Sequence, residues 1–327
     1  MSELLLRRRN LLIRKQEEEM NIRAVCFKAD GEQTVAITKV GSAPTITMQY
    51  SYDGVNWDAW DLSALPFGGN TKVYVRGVNN AKLSSGINNY QYFTFGTEAY
   101  VYVSGILESL LDGENEVTTL TAGFVFINLF LGQGALRSAK DLKFEMADNL
   151  NGGAGVYMYM FLNCSNLLYS PSELPAKSLG SNSCYQEMFR GCTSLLTAPV
   201  LPATTLSNGC YRSMFHNCVS LVNAPELPAT TLNINCYYFM FFGCTSLVNA
   251  PKLPATELAV SCYFSMFQNC TSLKSLKCHA KVTASNATKN WFGGVKTSGT
   301  FYGHSEYGWP SGTSGIPTTW TFEELTD

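Results

Sequence analysis

Charge is scarce in this chain. Charged residues make up 15% of its 327 positions and the formal net charge is −2, so no electrostatic footprint for nucleic acid or an anionic membrane surface is present. Histidine is rarer still, with three copies at His216, His279 and His304. No phosphate-binding loop, GxSxG elbow or dinucleotide-binding glycine fingerprint occurs, and no apolar run approaches the ~18 residues of a membrane span. The opening stretch MSELLLRRRNLLIRKQEEEM splits its apolar triplets with Arg7-Arg8-Arg9 and has no small-residue cleavage site. It does not read as a secretory signal, and the expectation is a chain made in a cytoplasm. No catalysis, cofactor or metal is expected.

What the chain does have is apolar and aromatic content, at 46% and 13%, which places it among folded proteins. Five copies of one motif occupy its second half: Met160-Phe161-x-x-Cys164, Met188-Phe189-x-x-Cys192, Met214-Phe215-x-x-Cys218, Met240-Phe241-x-x-Cys244 and Met266-Phe267-x-x-Cys270. They are separated by steps of 28, 26, 26 and 26 residues. Self-similarity at this period is the signature of stacked units that bury their apolar faces against one another.

Each unit reads as a helix followed by an extended rung. Leu258, Cys262, Met266 and Phe267 fall at i, i+4, i+8 and i+9, one face of a helix. Before the closing cysteine stand Asn163, Gly191, Asn217, Gly243 and Asn269, residues that tolerate the left-handed conformation at which helices stop. A Ser-Leu-x-x-Ala-Pro-x-Leu-Pro segment follows, and its prolines limit it to a short rung.

The stretch CYxxMFxxCTSLxxAPxLPATTL, carried by Cys184–Leu206, Cys210–Leu232 and Cys236–Leu258, resembles the BspA-type leucine-rich repeat proteins of bacterial surfaces. The tail around Asn290-Trp291-Phe292-Gly293-Gly294 is similar to the closing segment of such proteins. The fold expected on this basis is an α/β solenoid, a leucine-rich-repeat stack with a short strand plus a helix per 26-residue repeat. A small all-β sandwich-like domain and an N-terminal helix precede it. The expected divisions are an anchoring helix over 1–20, the β-domain over 21–97, the repeats over 98–281 and a C-terminal cap over 282–327.

Eleven cysteines invite a disulfide or metal reading. Within a repeat they stand eight apart, unlike the C-x2-C spacing of zinc sites. Val156 occupies the position equivalent to Cys184, so a small apolar group satisfies it. Buried reduced thiols are expected.

In the β-domain, strands are predicted at Thr34–Val40, on both sides of the Asp53-Gly54 turn, at Lys72–Gly77 and at Gln91–Phe95. Trp57 and Trp60 read as core packing before carbohydrate platform. Asp53, Asp58 and Asp61 read as turn chemistry before calcium ligands.

The segment before residue 21 repeats Leu4–Leu6 and Leu11–Ile13 at a spacing of seven, with arginines between. It is read as an assembly-docking peptide in which Leu5, Arg7, Arg8, Arg9, Leu12 and Arg14 make the contact, against packing on the β-domain as the alternative. Together with the family resemblance this points to a non-enzymatic bacteriophage virion appendage made in the host cytoplasm. Its expected partners are other virion proteins through residues 1–20 and a host surface protein or glycan through the repeats. Nucleic acid and membrane insertion are not expected, and homo-oligomerisation stays open. A bacterial cell-surface adhesin or protein-binding scaffold is the competing reading. Binding residues are sought where repeats vary while their core is constant: Arg190, Arg212, His216, Tyr238, Phe239, Phe242 and Phe264. Of these, Tyr238, Phe239 and Phe242 are expected to be exposed and to form a protein-contact patch.

Overall fold

The structure, a computed structural model, describes residues 22–146, 150–281, 284–295 and 298–326. The expected N-terminal helix and the docking residues assigned to it therefore lie outside the described residues.

The first part is an antiparallel β-sandwich. Strands β1 (Val25–Ala29), β2 (Gln33–Val40), β3 (Met48–Ser51), β4 (Asp58–Trp60), β5 (Leu65–Phe67), β6 (Val73–Gly77), β7 (Tyr90–Phe95), β8 (Val101–Ile106) and β9 (Leu136–Lys143) divide between two sheets. One runs β4-β3-β6-β1-β8-β9 and the other β5-β2-β7. Their inner faces meet at Phe27, whose ring centroid lies 5.0 Å from Phe93 and 6.4 Å from Phe67. Alternate burial along β2 and β7 reflects one packed face and one wet face. β1, VCFKA, is buried at four of its five positions because it sits inside the larger sheet. β8 lies beside β1 in that sheet and pairs in parallel with β9, so the sandwich runs into the repeats without a break in the core.

The expected helix per repeat is not there. No α-helix occurs among the described residues, and the Cys-Tyr-x-x-Met-Phe-x-x-Cys segments are runs of turns. The backbone gives the reason. A left-handed residue recurs every fourth position: Ser183 (φ 58°), Glu187 (54°) and Gly191 (74°) in one copy, Asn235 (58°), Phe239 (55°) and Gly243 (72°) two copies on. An α-helix needs negative φ throughout and unbroken i to i−4 bonds.

Here the amides alternate between two jobs. Gln186, Met188, Arg190 and Cys192 donate to carbonyls three residues back, at 3.1–3.3 Å. Tyr185, Glu187, Phe189 and Gly191 donate to Cys210, Arg212, Met214 and His216 of the next repeat, at 2.8–3.0 Å. Every second peptide is thus tied to the neighbouring copy.

The expected strand per repeat is reduced as well. In the rungs only the two-residue pair β10 (Ser178–Leu179) and β11 (Thr205–Leu206) forms a strand ladder, and elsewhere isolated parallel bridges such as Asn223 to Asn249 appear. The prolines of the rung withhold ladder donors. The sheets are several, small and open. The α/β solenoid and the leucine-rich-repeat unit of strand plus helix are therefore overturned, and the virion and phage terms attached to them gain no support from the fold.

The inward residues come in pairs at a period of four: Cys184-Tyr185, Met188-Phe189, then Cys192, all buried. Two columns of rings result. One runs Phe126, Tyr157, Tyr185, Tyr211, Tyr237, Tyr263 and Trp291 with centroids 5.5–6.1 Å apart. The other runs Phe130, Phe161, Phe189, Phe215, Phe241, Phe267 and Phe292 at 5.2–6.0 Å. Phe126 and Phe130 belong to a copy that lacks the Met-Phe motif. Stacking at these separations adds to a burial worth roughly 1.5–3 kcal/mol per large side chain.

The far end closes with a parallel sheet of β12 (Ser275–Lys277), β13 (Gly299–Gly303) and β14 (Trp320–Glu324). Trp309 stacks on Trp291 at 5.3 Å, ending the first column.

Candidate interaction surface

The turn runs point three positions outward in each repeat. The residue two before the methionine gives the column Gln186, Arg212, Tyr238, Phe264 and, past the last motif, Lys289. Their spacing is fixed by the backbone, because the carbonyls of Arg212, Tyr238, Phe264 and Lys289 accept 2.8–2.9 Å bonds from the preceding copy. Side chains one repeat apart are thereby held in stacking reach. Tyr238 and Phe264 lie 4.8 Å apart and 16° from parallel. The Arg212 guanidinium sits over the other face of Tyr238 at 5.0 Å, and the Lys289 ammonium over the other face of Phe264 at 5.8 Å.

A second row packs against this column. Phe239 stands edge-on to Tyr238 at 4.4 Å, to Phe242 at 5.2 Å and to Phe264 at 5.6 Å. His216 meets Phe242 at 4.6 Å. Burial lowers the His216 pKa, and the Arg190 charge adds to the effect, so the ring is neutral at pH 7. Arg190 is held by Glu187 at 2.7 Å, a side chain only 11% exposed.

All seven residues singled out in the sequence thus lie on one outward ridge. One expectation needs correction. Tyr238, Phe239 and Phe242 are half-buried and not exposed, because they pack against one another and leave mainly ring edges to solvent. Sequence reasoning missed Lys289, which stands 25 residues after Phe264 in a copy without Met-Phe. The near-constant step was the signal that identified it.

The remaining candidates resolve as follows. Trp60 is buried, with its ring N–H donating to the Ser63 carbonyl at 2.8 Å, and Trp57 lies under the Arg76 guanidinium at 4.1 Å. They form no open platform. Asp53 accepts from the amides of Val55 and Asn56, each at 2.8 Å, and these turn bonds hold its pKa well below the usual range. Asp61 accepts from the Ser63 hydroxyl and amide in the same way, while Asp58 begins β4. The eleven cysteines are all buried, and burial pushes the Cys164 and Cys244 thiols up to about 12.

Among the described residues one group has metal-ligand character: His304, Glu306 and Glu324, with ligand atoms within 4.8 Å of one another. It sits on the partly exposed surface of the C-terminal sheet. A cleft of about 1010 Å³ lies at the sandwich edge between Glu32, Tyr52, Pro66, Thr71 and Glu98.

No protein-family model, curated protein or solved structure matches the chain. The resemblance to BspA-type proteins rests on the repeated motif and the closing segment alone.

Proposed function

We propose that the chain is a non-enzymatic structural protein that displays the outward ridge of its repeats for adhesion to a macromolecular partner at a host cell surface. One observation carries this reading. The inward positions hold nearly the same residues in every copy, whereas the outward positions differ between copies and converge on a single aromatic cluster. A purely structural stack has no need to concentrate His216, Tyr238, Phe239, Phe242 and Phe264 on one side, and aromatic clusters of this kind anchor interfaces. The proposed setting is a phage particle to which residues 1–20 attach. Its support is the sequence pattern of leucines and arginines in that segment.

Two measurements test the reading. Fluorescently labelled full-length protein is expected to bind host cells, and F239S/F242S to bind them several-fold less while keeping the wild-type thermal midpoint within a few degrees. Equal binding by the variant would remove the ridge from the function. Deletion of residues 1–20 is expected to abolish incorporation into particles, and normal incorporation would remove the docking assignment.

A further inference from the structure

The ridge also carries information about what it binds, an inference that rests on the display reading above. Every ring face in its main column is already occupied. Tyr238 has Phe264 on one side and Arg212 on the other, and Phe264 has Tyr238 and Lys289. Sugars and nucleic-acid bases gain most of their affinity for aromatic residues from open ring faces. This column offers edges only, together with the Tyr238 hydroxyl.

The two ends of the column are cationic. Among the described residues neither Arg212 nor Lys289 has a carboxylate partner, while the nearby acid, Glu187, is already spent on Arg190. Ring edges carry the positive end of the aromatic quadrupole, so edges and end groups share one electrostatic sign. Such a surface attracts carboxylates.

A second copy of this chain is a poor fit. A two-fold pairing presents the same patch to itself. Run antiparallel, the column would set Arg212 of one copy against Lys289 of the other, and like charges facing each other oppose association.

The backbone adds a separate observation. Phe239 projects from a left-handed residue at φ 55°, a conformation that costs a bulky L-residue roughly 1–2 kcal/mol. The equivalent positions in the flanking copies are Ser213 and Ser265. The turn run imposes this conformation on every copy, Tyr159 and Glu187 included, so what distinguishes Phe239 is an aromatic ring at an outward position where the flanking copies carry serine. We infer that the ridge from Arg212 to Lys289 binds an acidic polypeptide segment with apolar or aromatic side chains between its carboxylates.

The test uses the full-length protein and three immobilised probes: a random copolymer of glutamate and tyrosine, a neutral yeast mannan, and single-stranded poly(dT). The copolymer is expected to bind, with affinity falling as salt rises from 50 to 300 mM. R212E/K289E should weaken that binding at least about tenfold, F239S should weaken it less, and mannan and poly(dT) should not bind. Circular dichroism of each variant guards against misfolding, and R212Q/K289Q provides a milder second pair. Failure of the copolymer to bind, binding unaffected by charge reversal, or preferred binding of mannan or poly(dT) would overturn the inference. The two readings separate in the host-cell assay. Cell binding that survives R212E/K289E but not F239S/F242S keeps the display reading and rejects the acidic partner, whereas absence of wild-type cell binding rejects the display reading itself.

Discussion

The side chain of Asn217 lies over Gly243 of the next repeat, so that a Cβ on that glycine would stand 2.3 Å from the Asn217 Oδ1. The same relation joins Asn163 to Gly191 and Asn269 to Gly294. All six backbones are left-handed, with φ between 60° and 79°. Asparagine and glycine therefore alternate along one column for a packing reason. Each asparagine needs the space that the following glycine leaves empty.

Gly243→Ala should destabilise the protein by about 1–2 kcal/mol, part from placing an alanine at φ 72° and part from displacing Asn217. Asn217→Gly in the same chain should recover roughly 0.5–1 kcal/mol of that loss, since the pair is in contact. Chemical denaturation of the two single variants and the double variant measures the coupling. Strict additivity would show that the alternation has no packing content.

That column also shows how much of the fold was legible in the sequence. The period, the inward Met, Phe and Cys, and the left-handed residue before each closing cysteine could all be read. The turn run could not be told from a helix, because Leu258, Cys262, Met266 and Phe267 fit a period of 3.6 nearly as well as one of 4. The two differ by only about 80° over eight residues. The deciding feature was hidden at the other left-handed positions, where Ser183, Glu187 and Phe239 stand in place of glycine. In the β-domain, four strands matched expected segments, but β1 was missed because a strand buried on both faces loses its alternation. The ridge was found because its positions vary between repeats. Lys289 escaped because the motif that marked each copy had lapsed there.

The thiols of Cys192, Cys218, Cys244 and Cys270 donate to the carbonyls of Phe161, Phe189, Phe215 and Phe241, at 3.0–3.1 Å. With these bonds and complete burial, native protein at pH 8 should react with iodoacetamide far more slowly than free cysteine, because only the thiolate reacts. In guanidinium without reductant, mass spectrometry should count eleven alkylated sites, one for each cysteine as a thiol. A count of nine or fewer would establish a disulfide.

Tyr211 and Tyr237 are completely buried in the first ring column, and their hydroxyls have no hydrogen-bond partner among the described residues. A buried hydroxyl left unpaired costs free energy that its removal returns. Tyr211→Phe should therefore be neutral or stabilising by up to about 1 kcal/mol. Tyr157→Phe should instead destabilise, since the Tyr157 hydroxyl donates to Glu108 at 2.7 Å. Thermal midpoints of the two variants decide the matter, and a loss in Tyr211→Phe equal to that in Tyr157→Phe would contradict it.

Glu108 sits where the sandwich meets the repeats, with no exposure to solvent. Its carboxylate accepts from the Tyr157 hydroxyl and from the Glu145 amide at 2.9 Å. The Glu145 carboxylate, engaged by Arg23 at 2.7 Å, lies close by. Burial raises the Glu108 pKa from its ordinary 4.5 to about 7, and the two donors only partly offset that rise. Between these values the folded chain holds a proton that the unfolded chain releases. Stability should therefore fall as pH rises from about 4.5 to 7, by about 3 kcal/mol in total. Asp53, Asp61 and Asp112 are shifted the other way, and their contribution is lost only as pH drops below about 4. Burial lowers the His216 pKa, so that group acts in the same range with the opposite sign, and the Glu108 part is isolated by comparison with a variant. Glu108→Gln keeps the shape without the charge and should flatten the slope there, although it forfeits one accepted bond. Urea denaturation at pH 5, 6, 7 and 8 compares the two chains. A pH dependence in the glutamine variant identical to that of the wild type would place the titrating group elsewhere.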